Sequence, residues 1–276
     1  MQRAESGPAP GALPDRLTLV AISALAYVVA VALHEHLGHA TACALLGSHP
    51  TEMGAFYIEC DDSKLTRVAI RLVAIAGPLV SLAIGILCVP FARRLASPAA
   101  FYFIWLLGTL GLMDAAGYPL FSGVSGLGDL GTTTDGALRG VTPEWAWRAV
   151  EAAAGLIAYI GVVRYAARAL EPRLSGVGVT RIRPARLTML WSYFTGAAVY
   201  LAIGILNPYG LVIVITSALA SSMGGTSGLL WMTRVLKREP SAHGPGIYFG
   251  RSWTWIILAA AITLGYAVVF GPTLRP

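Results

Sequence analysis

Seven runs of mostly apolar residues recur along this chain, and they constrain its fold more than any other feature. They cover roughly 17–46, 67–92, 100–121, 146–168, 187–206, 209–232 and 252–271. Each is long enough to cross a hydrocarbon core of about 30 Å. A segment in lipid must satisfy its own backbone hydrogen bonds, which selects the helix. Only 12% of the residues are charged, against about 25% in soluble domains. The fold class read from this is an all-α polytopic membrane protein with about seven transmembrane helices.

The first run imitates a signal peptide, but it continues to Leu46, too far for a signal's short apolar stretch, so it reads as a retained helix. Composition predicts a disordered tail over 1–15, a transmembrane core over 16–131 and additional transmembrane helices over 132–276. Thr142, Pro143 and Glu144 read as N-cap, first helical residue and first-turn acid of the fourth span. Asn207-Pro208-Tyr209-Gly210 reads as a tight turn before the sixth. Between Gly47 and Thr66 the β-prone stretch MGAFYIEC predicts a small hairpin at the membrane surface.

The net charge of +6 is distributed as a topology signal. The N-terminus and the segments after the second, fourth and sixth spans hold 14 of the 20 basic residues. Lys64, Arg67, Arg71, Arg139, Arg148 and Arg275 lie on the other side. This favours a multi-pass protein of a plasma (inner) membrane with a cytoplasmic N-terminus. No basic stripe with interleaved aromatics suggests a nucleic-acid partner. Cys43, Cys60 and Cys88 are scattered, two of them in apolar runs, and suggest neither a disulfide framework nor a metal knuckle. Arg148 and Glu151 read as an interfacial pair, His243 as an exposed loop residue, and Trp145, Trp147, Trp191, Trp253 and Trp255 as interfacial belts.

The chemistry is concentrated in LHEHLGHA, Leu33 to Ala40. Ionisable groups inside a spanning helix are costly and mark function. The stretch approaches the zinc-protease pattern H-E-x-x-H, in which two histidines four apart share a helix face beside a general-base glutamate. Here His34 and His39 are five apart, which in a regular helix turns them about 140° from one another. Two arrangements repair this. A π-bulge, eased by Gly38, would bring His34 and His39 to one face with Glu35 beside them. Alternatively Glu35 and His39 bind metal in a regular helix, with His36 as third ligand or base. The first keeps the protease order and is preferred. His49 follows the span and is a further candidate neighbour of the site.

Residues 20–131 resemble the site-2 protease family of intramembrane zinc metallopeptidases. HEHLGHA is similar to that family's HExGHA, one residue longer. AGPLVSL, Ala76 to Leu82, looks like its AGP motif. DAAGYPLFSGVSGLGDLG, Asp114 to Gly131, stands where the family has a segment ending in an aspartate ligand. The resemblance implies zinc held by His34, His39 and an aspartate. PLFSG lacks the family's acid, so the candidates are Asp129, preferred for its surrounding glycines, and Asp114. Asp114 could instead accept from a histidine N–H. The implied reaction is hydrolysis of a membrane-embedded protein segment by a metal-bound water, with Glu35 as general base. The charge distribution puts the cluster towards the non-cytoplasmic side, opposite to the family's usual arrangement. The other functions compatible with these residues are a metal-ion or proton transporter or sensor, and a catalytically degenerate relative.

Overall fold

The computed structural model describes residues 11–133, 136–237 and 246–276. Residues 1–10 of the expected tail, and His243, lie outside the described residues. Six helices are long and apolar enough to cross a membrane. They are α1 (Arg16–Leu45), α2 (Arg67–Ala92), α3 (Pro98–Ser125), α4 (Glu144–Leu170), α5 (Val179–Gly204) and α6 (Trp253–Phe270). The protein is therefore helical and multi-pass.

Local chemistry sets most of the helix starts. Asp15 caps α1 by accepting from the Thr18 N–H at 3.0 Å, and Thr66 caps α2 through the Ala69 N–H at 3.2 Å. Ser97 does the same for α3, with Pro98 in its first turn. The expected cap of α4 is corrected: the helix starts at Glu144 with Pro143 in the N-cap position and no side-chain cap. Thr132 instead donates to Glu144 Oε1 at 2.9 Å. Arg148 and Glu151 also depart from the expected pair. Arg148 meets Glu144 at 3.5 Å and donates to the Gly123 and Val124 carbonyls at the end of α3. Glu151 is buried, with its Oε2 unpartnered.

The run expected at 209–232 is an interrupted segment, not one helix. A single helical turn (Leu211–Ile213) leads into a π-helix (Val214–Gly225), then a turn, then Gly228–Trp231. Tyr159 and Tyr193 donate to the Gly225 and Met223 carbonyls at the break, and Tyr27 donates to the Thr226 hydroxyl beside them.

α3 is the most enclosed helix, and Trp105, Tyr102, Leu106 and Met113 bury their side chains fully against α1, α4 and α5. α2 and α3 approach closely because Gly85, Gly108 and Gly111 carry no side chain between them. After α1 comes the expected hairpin, β1 (Pro50–Met53) antiparallel to β2 (Ile58–Cys60). Cys43 and Cys60 are joined by a disulfide, which corrects the reading of the cysteines as unpaired. Cys43 lies in the last turn of α1, and the hairpin folds back over that turn, so residues distant in pattern become neighbours. α1 and α6 pack side by side through Ala21, Leu25 and Ala259. Arg251, just before α6, bonds Asp15 at 2.7 Å. At the other end Leu274 exchanges backbone hydrogen bonds with Met53 of β1, at 2.8 and 3.0 Å.

Candidate metal centre

The extra residue in LHEHLGHA is absorbed where it occurs. Residues Leu33–Ala40 form a π-helix inside α1, with ordinary α-helix on both sides. An i→i+5 turn places residues five apart on one face. His34 and His39 accordingly present their Nε2 atoms to one another at 3.2 Å. Of the two arrangements left open by the sequence, this is the first.

Gly38 permits the bulge to lie flat against α2. A Cβ there would stand 2.6 Å from the Gly77 Cα. Gly77 in turn leaves the space that both histidines face, since a Cβ on it would collide with His34 Nε2 and His39 Nε2. Pro78 removes the helix donor that would otherwise bond the Ala74 carbonyl, within the stretch of α2 that faces the histidines. The Val73 carbonyl, in the turn before Pro78, accepts from His39 Nδ1 at 2.8 Å.

Asp129 arrives from the connection between α3 and α4. α3 stops at Gly126, whose φ of 79° favours glycine. The Gly126 carbonyl then accepts from the Thr132 and Thr133 N–H groups at 3.1 and 3.2 Å and from the Thr133 hydroxyl at 2.7 Å. The Asp129 carbonyl accepts from the Ala137 N–H at 2.8 Å. This tight coil aims the Asp129 carboxylate back at α1. Its Oδ2 lies 3.1 Å from His34 Nε2 and 3.3 Å from His39 Nε2.

The three atoms thus form a triangle with edges of 3.1, 3.2 and 3.3 Å. Ligands at ~2.05 Å around a tetrahedral zinc stand ~3.3 Å apart, so the triangle has the size of one tetrahedral face. Proton placement agrees. A carbonyl can only accept, so His39 Nδ1 carries the hydrogen it gives to Val73 O, and neutral His39 offers a bare Nε2. His34 Nδ1 is held by Ser81 Oγ at 3.0 Å, with Asp114 Oδ2 at 2.8 Å but outside hydrogen-bond geometry. With His34 in its Nδ1–H tautomer, its Nε2, that of His39 and the Asp129 carboxylate form three acceptors converging at a point that a cation would satisfy. Side-chain exposure is 21% for Asp129 but 5% and 9% for His34 and His39, so Asp129 is the most accessible of the three.

Glu35 is buried next to His34, within electrostatic reach of His34, His39, Asp129 and Asp114. Asp114 stands behind His34 as one of its Nδ1 neighbours, not among the converging atoms. His36 is turned away: its ring lies 4.1 Å from Phe270, and its Nε2 is 3.3 Å from the Tyr266 hydroxyl. It does not reach the ligand triangle, which removes it as alternative ligand or base in this arrangement. His49 is exposed beside the hairpin, outside the cluster.

Sequence reasoning missed Ser81, the Val73 carbonyl and Tyr118, whose ring stacks on His34 with centroids 5.0 Å apart and planes 13° apart. Tyr118 follows Asp114 by one helical turn, a spacing that could have placed both beside His34. Comparison with family models, with curated proteins and with solved structures gives no match for this chain.

Proposed function

We propose that this protein is an intramembrane zinc metallopeptidase that hydrolyses peptide bonds in membrane-spanning protein segments. The observation that carries the reading is the ligand triangle of His34, His39 and Asp129, with the Glu35 carboxylate alongside. Two imidazoles and a carboxylate suit zinc. A zinc ion there supplies a Lewis acid that acidifies water and polarises a scissile carbonyl. Ser81 and Val73 O fix the two rings with their Nε2 atoms inward. Glu35 takes a proton from the attacking water on its carboxylate, then gives it to the amine nitrogen as the C–N bond breaks. Burial keeps bulk water away from both groups.

Two features support an orientation with the N-terminus cytoplasmic and the site towards the opposite face of a plasma (inner) membrane. The basic residues favour it, and the Cys43–Cys60 disulfide belongs in an oxidising compartment. α1 and α6 start together at Asp15 and Arg251 and both finish at the hairpin. First and last helices that run in parallel fit an odd number of crossings, which supports counting the interrupted segment as the sixth of seven spans. His39 lies six residues, about 9 Å, before the end of α1. Cleavage then falls in the outer half of the bilayer.

The test is Glu35→Gln in the purified protein. It should retain about one zinc per chain and lose peptidase activity by about 10²- to 10⁴-fold, the usual contribution of a general base. Unchanged activity sinks the reading. The Ser-rich interrupted segment favours a second reading, a metal-ion or proton transporter, since broken helices line such pathways. Metal flux into proteoliposomes that survives Glu35→Gln selects it.

A further inference from the structure

The ligand triangle is held from one direction by a residue outside any zinc-protease pattern. Asp114 and Tyr118 are one turn apart on α3 and so share a face. That face clasps His34 twice. Asp114 Oδ2 stands 2.8 Å from the ring's Nδ1, and the Tyr118 ring lies nearly parallel to it, 5.0 Å away. The Tyr118 hydroxyl lies within reach of the Asp129 carboxylate. Tyr118 therefore stacks on one ligand side chain and stands near a second, and those two come from different parts of the chain, α1 and the α3–α4 connection.

We infer that Tyr118 is a positioning residue of the metal centre, orienting His34 through its ring and Asp129 through its hydroxyl. The inference rests on the reading of His34, His39 and Asp129 as a metal site. It follows from the chemistry of the ligands. A carboxylate on a Gly-rich coil has two oxygens and free rotation about its side chain, so a fixed donor selects which oxygen points inward. Ser81 and Val73 O restrain the histidines, while the Asp129 carboxylate stands against the two histidines with the Tyr118 hydroxyl within reach. Partners of this kind usually alter metal affinity 10- to 100-fold.

The experiment measures Zn²⁺ affinity by chelator competition on the full-length chain in detergent, with Co²⁺ absorption spectra as an independent report of ligand geometry. Tyr118→Phe removes one oxygen and keeps the stacked ring. It should weaken zinc binding about tenfold or more and shift the Co²⁺ spectrum. Tyr118→Trp keeps a flat ring without that hydroxyl, so it should also lose tenfold or more, and it serves if the first variant does not fold. Either variant, folded and binding zinc within twofold of wild type with an unaltered spectrum, overturns the inference while leaving the metal centre intact. A wild-type chain that binds no zinc overturns the metal centre itself, and Tyr118's role with it.

Discussion

Gly38 of α1 rests on Gly77 of α2 backbone to backbone, with only 2.6 Å between the Gly77 Cα and the position a Gly38 Cβ would take. Two helices can approach this closely only through glycines, and the approach brings the π-turn and its histidines against α2.

Gly77→Ala places a methyl group where both Nε2 atoms point. Alanine in a helix interior ordinarily adds about 0.5–1 kcal/mol over glycine. Here overpacking reverses the sign, to a loss of about 1–3 kcal/mol. Zinc content by elemental analysis should fall to background. A variant with wild-type zinc and a raised melting temperature would show that the space beside the histidines is not needed.

The π-turn makes a second prediction possible. Leu37 is largely exposed within it, and its deletion leaves His34-Glu35-His36-Gly38-His39, the unstretched H-E-x-x-H pattern. If the bulge only absorbs one residue, a regular helix then keeps both flanks in register. The deletion variant should hold zinc within about tenfold of wild type and still form Cys43–Cys60. Inserting an alanine after Leu37 should abolish zinc binding. Equal zinc content in the deletion and the insertion contradicts this account.

Cys43 and Cys60, 17 residues apart, close the hairpin onto the last turn of α1. Loops near this length gain about 3 kcal/mol from a cross-link. Cys60→Ser should lower the melting temperature and make mobility on non-reducing gels insensitive to reductant. In intact cells, Cys43 and Cys60 should resist alkylation until a reductant is added. Free thiols in untreated cells would place this end of the molecule in a reducing compartment.

Asp15, before the first span, titrates differently. The Arg251 guanidinium, foremost, and the Thr18 N–H hold its carboxyl well below the usual carboxylate range. A folded pKa below the unfolded one gives stability that is complete above the unfolded value near 3.8 and is lost as pH falls below that value towards the lower folded one. Thermal melts should therefore show a decline below pH ~4 that is reduced in Asp15→Ala. That variant should also cost about 1 kcal/mol at neutral pH through loss of the cap. A decline of equal size in the variant assigns it to other carboxylates.

What the sequence made legible was what depends on composition and short spacing. The long apolar runs, the hairpin at MGAFYIEC and the anomalous spacing of His34 and His39 are all local signals, and each has its counterpart in the structure. Asp129 was reached through its glycines, because backbone that folds back into a site needs them. What stayed hidden depends on three-dimensional contact. The Cys43–Cys60 bond needs the hairpin to fold over α1, and Tyr118 matters only because α3 passes behind His34. Arg148 chose the free carbonyls at the end of α3 over Glu151, since unpaired helix-end carbonyls are strong acceptors close at hand. The sixth apolar run looked continuous because serines and glycines do not disrupt a hydropathy pattern, although they do interrupt the helix.

The fastening of α6 along α1 has a consequence for traffic through the lipid. These two helices are tied at one end by Arg251 and Asp15, and at the other by the strand contact of Leu274 with a hairpin that is itself bolted to α1. A seam sutured at both ends does not part readily. Under the proposed reading, a transmembrane segment approaching the histidines from the bilayer would find that flank shut.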